Sequence, residues 1–180
     1  MNIKRQAFLN QLLEKIPANT VVLSSWLKEQ GISNSLQHPR DLFDIKILFD
    51  NEGLTEEIKN GFIVCLLGDS GAPYELLNPH IKDQREVLRT NFDEITDIEF
   101  TYADHEKALQ KLIKVLHKSF TKADKEFLLS FFSLHPKWDL VGIPNIQKLP
   151  AVQWKIKNLE KMSKEKLEEN LRKTKEALAL

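Results

Sequence analysis

Helical periodicity is the feature that most constrains what this chain can fold into. Thr101 and Asp104 have the spacing of a capping box, which closes the open N–H groups at a helix start. Apolar residues then recur every three or four positions, as on one face of a helix. These residues are Ala108, Leu109, Leu112, Ile113 and Leu116. Thr121 and Asp124 repeat the device before a second apolar stretch, so helix follows helix.

The same periodicity extends over most of the 180 residues and predicts an all-α protein, a multi-helix bundle. Pro150 is expected to open a helix, and Thr55 and Ser163 are expected to cap others. A short helix is predicted at residues 74–77. Longer predicted helices cover residues 2–16, 40–49 and 81–92. At most one very short strand pair is expected, from residues 21–23 and 98–101.

Composition narrows the classes of function. Lys+Arg and Asp+Glu both number 26, which argues against a general polyanion binder and disfavours nucleic acid as a partner. Cys65 is the single cysteine, which fits a reducing compartment. No apolar run approaches the roughly 18 residues of a membrane span, and the N-terminus does not resemble a signal peptide. We therefore expect a cytoplasmic protein that does not engage a membrane.

The main candidate for chemistry is the acidic helix start at Asp41 and Asp44. Residues three apart share one face of a helix, and two carboxylates on one face can hold a magnesium ion. The simpler interpretation is structural, because aspartate in a first turn complements the helix dipole. Apolar residues nearly encircle the helix that follows, which predicts its burial. They are Leu42, Phe43, Ile45, Ile47, Leu48 and Phe49.

Other patterns predict no further site. A Gly-Asp-Ser turn at residues 68–70 and an Asp-Ile-Glu run at residues 97–99 are too far apart to cooperate as a nucleotide-binding pair. The five histidines are scattered without the spacing of metal ligands. Trp26, Trp138 and Trp154 are expected to fill core or groove positions. The lysines of the C-terminal stretch alternate with glutamates, as on a solvated face. We expect no cofactor and no metal.

Most of the chain resembles the C-terminal region of a known family. Five blocks carry this resemblance, in order along the chain. They are residues 39–44 (PRDLFD), 51–57 (NEGLTEE), 74–79 (YELLNP), 127–131 (FLLSF) and 149–155 (LPAVQWK). From about residue 38 to 180 the sequence resembles the AbiEii/AbiGii nucleotidyltransferase toxins of bacterial type IV toxin–antitoxin and abortive-infection systems. In these toxins an Arg-Asp-x-x-Asp element contributes acidic residues to the nucleotide site. The resemblance implies that Arg40, Asp41 and Asp44 correspond to this element and are a vestige of that site.

The first residues resemble a different protein. Residues 21–33 (VVLSSWLKEQGIS), preceded by Leu12, Leu13 and Pro17, are similar to the N-terminal end of the AbiEi antitoxin. The chain is therefore divided into an antitoxin-like helical stub, residues 1–37, and a toxin-like helical domain, residues 38–180. This order suggests the hypothesis that an in-frame deletion joined neighbouring antitoxin and toxin genes.

The resemblance implies an activity that this sequence does not support by itself. The Gly-Ser turn and the Asp-x-Asp metal ligands that such toxins carry ahead of the Arg-Asp-x-x-Asp element are not found in residues 1–38. We therefore expect a truncated relative without nucleotidyl transfer, acting as a helical interaction domain. Two alternatives stay open: a nucleotidyltransferase, with magnesium and a nucleoside triphosphate, that a partner chain completes, and an antitoxin-like or nucleic-acid-binding module. The expected partners are a second copy, a cognate antitoxin or an intact toxin.

Overall fold

The computed structural model describes residues 39–51, 53–79, 83–91 and 100–179. Across these ranges the chain forms α-helices and two 3-10 turns, with no strand, so the predicted all-α class is confirmed. Of the predicted strand residues, Phe100 and Thr101 are not in a strand, and the others lie outside the described residues. The antitoxin-like stub, with its predicted helix at residues 2–16 and Trp26, also lies outside them.

Eight helices follow one another in the described ranges. They are α1 (Pro39–Asn51), α2 (Glu56–Gly68), α3 (Pro73–Leu77), α4 (Arg85–Asn91), α5 (Tyr102–Ser119), α6 (Lys122–Phe132), α7 (Pro150–Glu160) and α8 (Lys164–Ala177). Two 3-10 turns, Trp138–Leu140 and Ile146–Lys148, lie between α6 and α7. Within the described ranges, no helix combines the length and the apolar character that crossing a bilayer requires.

The predicted capping boxes start α5 and α6. The Thr101 hydroxyl accepts a hydrogen bond from the Asp104 N–H, and the Asp104 carboxylate accepts one from the Thr101 N–H at 3.1 Å. Thr121 and Asp124 repeat this pair at the start of α6, where the Thr121 N–H lies 2.8 Å from the carboxylate. Each box satisfies donors that the first turn of a helix leaves open, which fixes where the two helices begin.

The main core lies between α2, α6, α7 and α8. At its centre, Phe127 and Phe131 of α6 are fully buried. The Trp138 ring lies 5.7 Å from the Phe127 ring and 6.0 Å from the Phe131 ring, so it packs partly buried against this core, in agreement with its predicted core or groove position. Val152 of α7 and Leu178, just after α8, are also fully buried in this core.

A second, smaller group of buried side chains, the minor cluster, joins α1 and α4 to the first half of α5. It consists of Leu42, Leu88, Phe100, Ala108 and Leu109. The second half of α5 belongs to the main core instead, through Leu116. At 18 residues α5 is about 27 Å long, so this one helix connects the two groups.

The burial of α1 differs from the sequence expectation. Leu42 is fully buried, but the other apolar side chains of the helix are only partly buried. Among the described helices α1 packs chiefly on α5, so one face of it is covered. Ile47 and Leu48 fall on the side opposite Leu42 by helical geometry. We call this side the outer face of α1.

Candidate functional site

The predicted acidic site lies at the start of α1. Asp41 is in the first turn and partly buried, and Asp44, one turn later, is exposed. Arg40 precedes them in the same turn, but the structure does not describe its side chain. The structure therefore places both carboxylates at the start of one helix, as expected. The two differ in how much of each side chain is exposed to solvent.

Charged side chains of α1 and of the start of α5 lie near this helix start. Lys46, two positions beyond Asp44, pairs with Asp50 at 2.6 Å along the helix. Hydrogen bonds from Thr101, with a smaller contribution from Lys46, lower the pKa of Asp104 below its usual 3.8. In the described part of the chain, no three His, Cys, Asp or Glu side chains gather into a group that could hold a metal ion.

A second candidate site is a partly open cavity of about 330 Å³ lined by the turn after α2, by α3, by α7 and by α8. We call it the Lys155 cavity. Lys155 of α7 is 5% exposed, and its ammonium group reaches across to the turn. Its Nζ donates to the carbonyl oxygens of Asp69, at 2.7 Å, and Gly71, at 2.6 Å. The ammonium thus joins α7 to the end of α2 and lies at the cavity.

A side chain of the turn itself, Asp69, stabilises the turn that contacts Lys155. Asp69 Oδ1 accepts a hydrogen bond from the Gly71 N–H at 2.6 Å, a local arrangement typical of aspartate in turns. This bond curls the chain so that two carbonyl groups face the same ammonium. The Gly-Asp-Ser turn at residues 68–70 is therefore a structural acceptor for a lysine of α7.

The electrostatic state of Lys155 follows from its burial. Removal from water disfavours the charged ammonium and lowers the pKa of Lys155 below its usual 10.5, and the nearby Asp69 charge offsets this only partly. The Phe132 ring lies 5.9 Å from the Nζ atom and contributes a weaker cation–π attraction. The arrangement places a cation inside the protein with neutral carbonyl partners.

The sequence interpretation missed Lys155 and misplaced its neighbour Trp154. Trp154 was expected in a core or groove position but is 50% exposed, whereas Val152 is fully buried. Positions two apart lie on opposite sides of a helix, and positions three apart share a side. Because Val152 faces the core, the helical spacing already places Lys155 inward and Trp154 outward. This spacing is the signal that could have identified the buried lysine.

Two of the histidines contact the protein interior. His105 of α5 is 1% exposed and stacks on Tyr102 with ring centroids 5.5 Å apart. His117 Nε2 lies 2.8 Å from the Leu77 carbonyl oxygen and so connects α5 to α3. These two histidines thus contact the protein through a ring stack and through a hydrogen-bond contact with a backbone carbonyl oxygen.

Comparison with known proteins returns no relatives. No family model matches the chain, and no curated protein and no solved structure matches it significantly. The resemblance to the AbiEii toxins and to the AbiEi antitoxin therefore continues to depend on the sequence blocks alone.

Proposed function

We propose that this chain is a cytoplasmic helical interaction domain related to the AbiEii/AbiGii toxins of type IV toxin–antitoxin and abortive-infection systems, and that it does not transfer nucleotides by itself. The observation that supports a binding role most directly is the outer face of α1. Its apolar side chains point away from the helix on which α1 packs.

The packing of α1 supports a binding role for this outer face. Leu42 attaches the helix to α5 within the minor cluster, and Phe43 packs edge-on against Phe100 at 5.4 Å. Ile47 and Leu48 lie on the opposite side and remain partly exposed. A helix that carries apolar side chains on two sides needs a second surface to cover them, because soluble proteins rarely leave large apolar patches bare.

The proposed occupant of the outer face is the chain's own N-terminal segment, residues 1–37. This segment precedes α1 in the sequence, so it is covalently linked to the helix that it would cover. Its sequence predicts an amphipathic helix over residues 2–16 with one apolar stripe, formed by Phe8, Leu12, Leu13 and Ile16. An antitoxin-like segment would then cover a toxin-like helix within one chain.

Limited proteolysis of the full chain, combined with light scattering, tests this assignment. We expect a monomer in which residues 1–37 are protected from protease. In an Ile47→Asp, Leu48→Asp variant, cleavage of that segment should become much faster while helicity is kept, because two charges oppose apolar contact. A matched control places two aspartates at exposed positions of other helices, as Gln110→Asp and Gln153→Asp. A wild-type monomer whose residues 1–37 are freely cleaved contradicts the assignment.

The proposed lack of nucleotidyl transfer is tested separately. Phosphoryl-transfer catalysis depends on positioning the triphosphate and its metal ions, and of the family's elements this sequence carries only Arg40, Asp41 and Asp44. Incubation of the chain with magnesium, each labelled nucleoside triphosphate and bulk tRNA should transfer no label. Label transfer by the isolated chain, abolished by Asp44→Asn, contradicts the proposal.

A second candidate function is a nucleotidyltransferase completed by a partner chain. Asp44 is exposed at the start of α1, where its carboxylate could contribute to a metal site on a partner chain. The same label-transfer experiment in the presence of the products of neighbouring genes, a cognate antitoxin or an intact toxin, discriminates the two functions. Label transfer that needs both the partner and Asp44 favours the enzyme, whereas a stable complex without transfer favours the interaction domain.

A further inference from the structure

The Lys155 cavity has the properties of a ligand site that the proposed interaction function does not use. Its volume of about 330 Å³ lies at the lower end of the range that small-molecule sites occupy, about 300–1,000 Å³. It lies on the main core, whereas α1 belongs to the minor cluster. Its walls combine an apolar surface with a few polar groups, which is the usual composition of a specific pocket.

We propose that the Lys155 cavity binds a small organic anion, a carboxylate or phosphate group attached to an apolar body. The anionic group meets the ammonium of Lys155, and the apolar body lies against Phe132 and Leu159. The inference does not depend on the proposed interaction function, because it uses none of the residues of α1.

Charge balance is the first argument. Among the described residues, the hydrogen-bond acceptors of Lys155 Nζ are two neutral carbonyl oxygens, so its positive charge has no direct counter-ion. Asp69 is near, but burial lowers the pKa of Lys155 by more than the charge of Asp69 raises it. Lys166 and Glu75 also line the cavity and contribute one charge of each sign, so together they add no net charge to it. An anion in this cavity would neutralise a charge that burial makes costly.

Hydrogen-bonding capacity is the second argument. Asn170 of α8 lines the cavity, and its side-chain N–H donates to the Met162 sulfur at 3.3 Å. A thioether sulfur is a weak acceptor, so this amide gains by exchanging it for a charged oxygen. Lys166 is exposed at the cavity and can approach the same oxygen from solvent. Two donors of α8 thus line the same cavity as the buried ammonium of α7.

Calorimetric titration of the full chain tests the proposal with four probes. Phenyl phosphate and benzoate carry the proposed anion and an apolar ring, phenyltrimethylammonium carries the ring with the opposite charge, and inorganic phosphate carries the anion alone. We expect saturable one-to-one binding of at least one of the two aromatic anions, weakening as salt is added. Phenyltrimethylammonium should not bind, and inorganic phosphate should bind more weakly than phenyl phosphate.

Substitutions locate the binding. Lys155→Met should abolish it in a protein that circular dichroism shows to be folded. Lys166→Gln, at an exposed position, should lower the affinity about threefold, as expected for a solvent-exposed charge. Lys157→Gln on the exposed side of α7 is the matched control and should leave it unchanged. If Lys155→Met does not fold, the comparison of Lys166→Gln with Lys157→Gln decides. The proposal is overturned if neither aromatic anion binds, if the cationic probe binds equally well, or if folded Lys155→Met binds as the wild type does. Where Lys155→Met does not fold, equal affinities of the two exposed-lysine variants overturn it.

Discussion

Lys59 Nζ lies 3.0 Å from Asp124 Oδ2, and this ion pair connects α2 to the capping box of α6. Both residues are buried, with only 2% and 7% of their surfaces exposed. Asp124 also accepts from the Thr121 N–H and hydroxyl, while Lys59 makes a second ion pair with Glu56 at 2.6 Å. One carboxylate therefore serves a local role in starting a helix and a long-range role in joining two helices.

Lys59→Met tests the long-range role. Removing one member of a buried pair leaves the other charged and less well satisfied, so we expect the free energy of unfolding to fall by about 3 kcal/mol. Chemical denaturation monitored by circular dichroism measures the change. Lys122→Met in the first turn of α6, at an exposed position, is the matched control and should change stability by about 0.5 kcal/mol or less.

Asp124 gives stability a dependence on acid pH. Burial opposes ionisation, but hydrogen bonds from Thr121 and Lys59, together with the Lys59 charge, outweigh it and lower the pKa of Asp124 below 3.8. The unfolded chain then binds the proton more readily, so the stabilisation is complete above about pH 4 and is lost as the pH falls through the folded-state pKa. The difference in unfolding free energy between wild type and Asp124→Asn should be largest near pH 7 and shrink below pH 4. A constant difference down to pH 2.5 contradicts this.

The two capping boxes permit a matched comparison. Thr101→Ala and Thr121→Ala remove the same hydroxyl from the same geometry, and each should cost about 1 kcal/mol from the lost cap. Thr121→Ala should cost more, because its hydroxyl also positions the carboxylate that Lys59 binds. Denaturant titrations of both variants measure the two costs. Equal costs would indicate that the cap and the Lys59–Asp124 pair are independent.

Leu42 holds α1 to the rest of the fold. Leu42→Ala removes a fully buried side chain from the minor cluster and should lower the unfolding free energy by about 2–5 kcal/mol. Because α1 packs chiefly on α5 among the described helices, hydrogen exchange should accelerate most in α1. Lys107→Ala, at an exposed position of α5, is the control, and its effect on stability should be within about 0.5 kcal/mol.

Local chemistry made the helix starts predictable. Thr55 and Ser163 cap α2 and α8 as expected, and Pro150 opens α7. Each of these signals acts within one turn, because a cap needs only the donors of the residues next to it. The all-α class followed from the same local signals together with apolar periodicity.

Long-range partners were not predictable in the same way. Lys59 and Lys155 are lysines, which are normally solvated, and their burial depends on acceptors 65 and up to 86 positions away. The burial of α1 was overestimated because a ring of apolar residues does not reveal which faces a neighbour covers. The acidic pair Asp41 and Asp44 was placed correctly on one helix start, but its exposure depends on packing that the pattern does not contain.

The connection of both buried groups by α5 has a consequence for how the protein opens. Ala108 and Leu109 bind the first half of this helix to the minor cluster, and Leu116 binds its second half to the main core. Amide protons midway along the helix can exchange with solvent only after one of these attachments is released. Their exchange rates therefore report whether the two halves of the described structure melt as one cooperative unit or in succession.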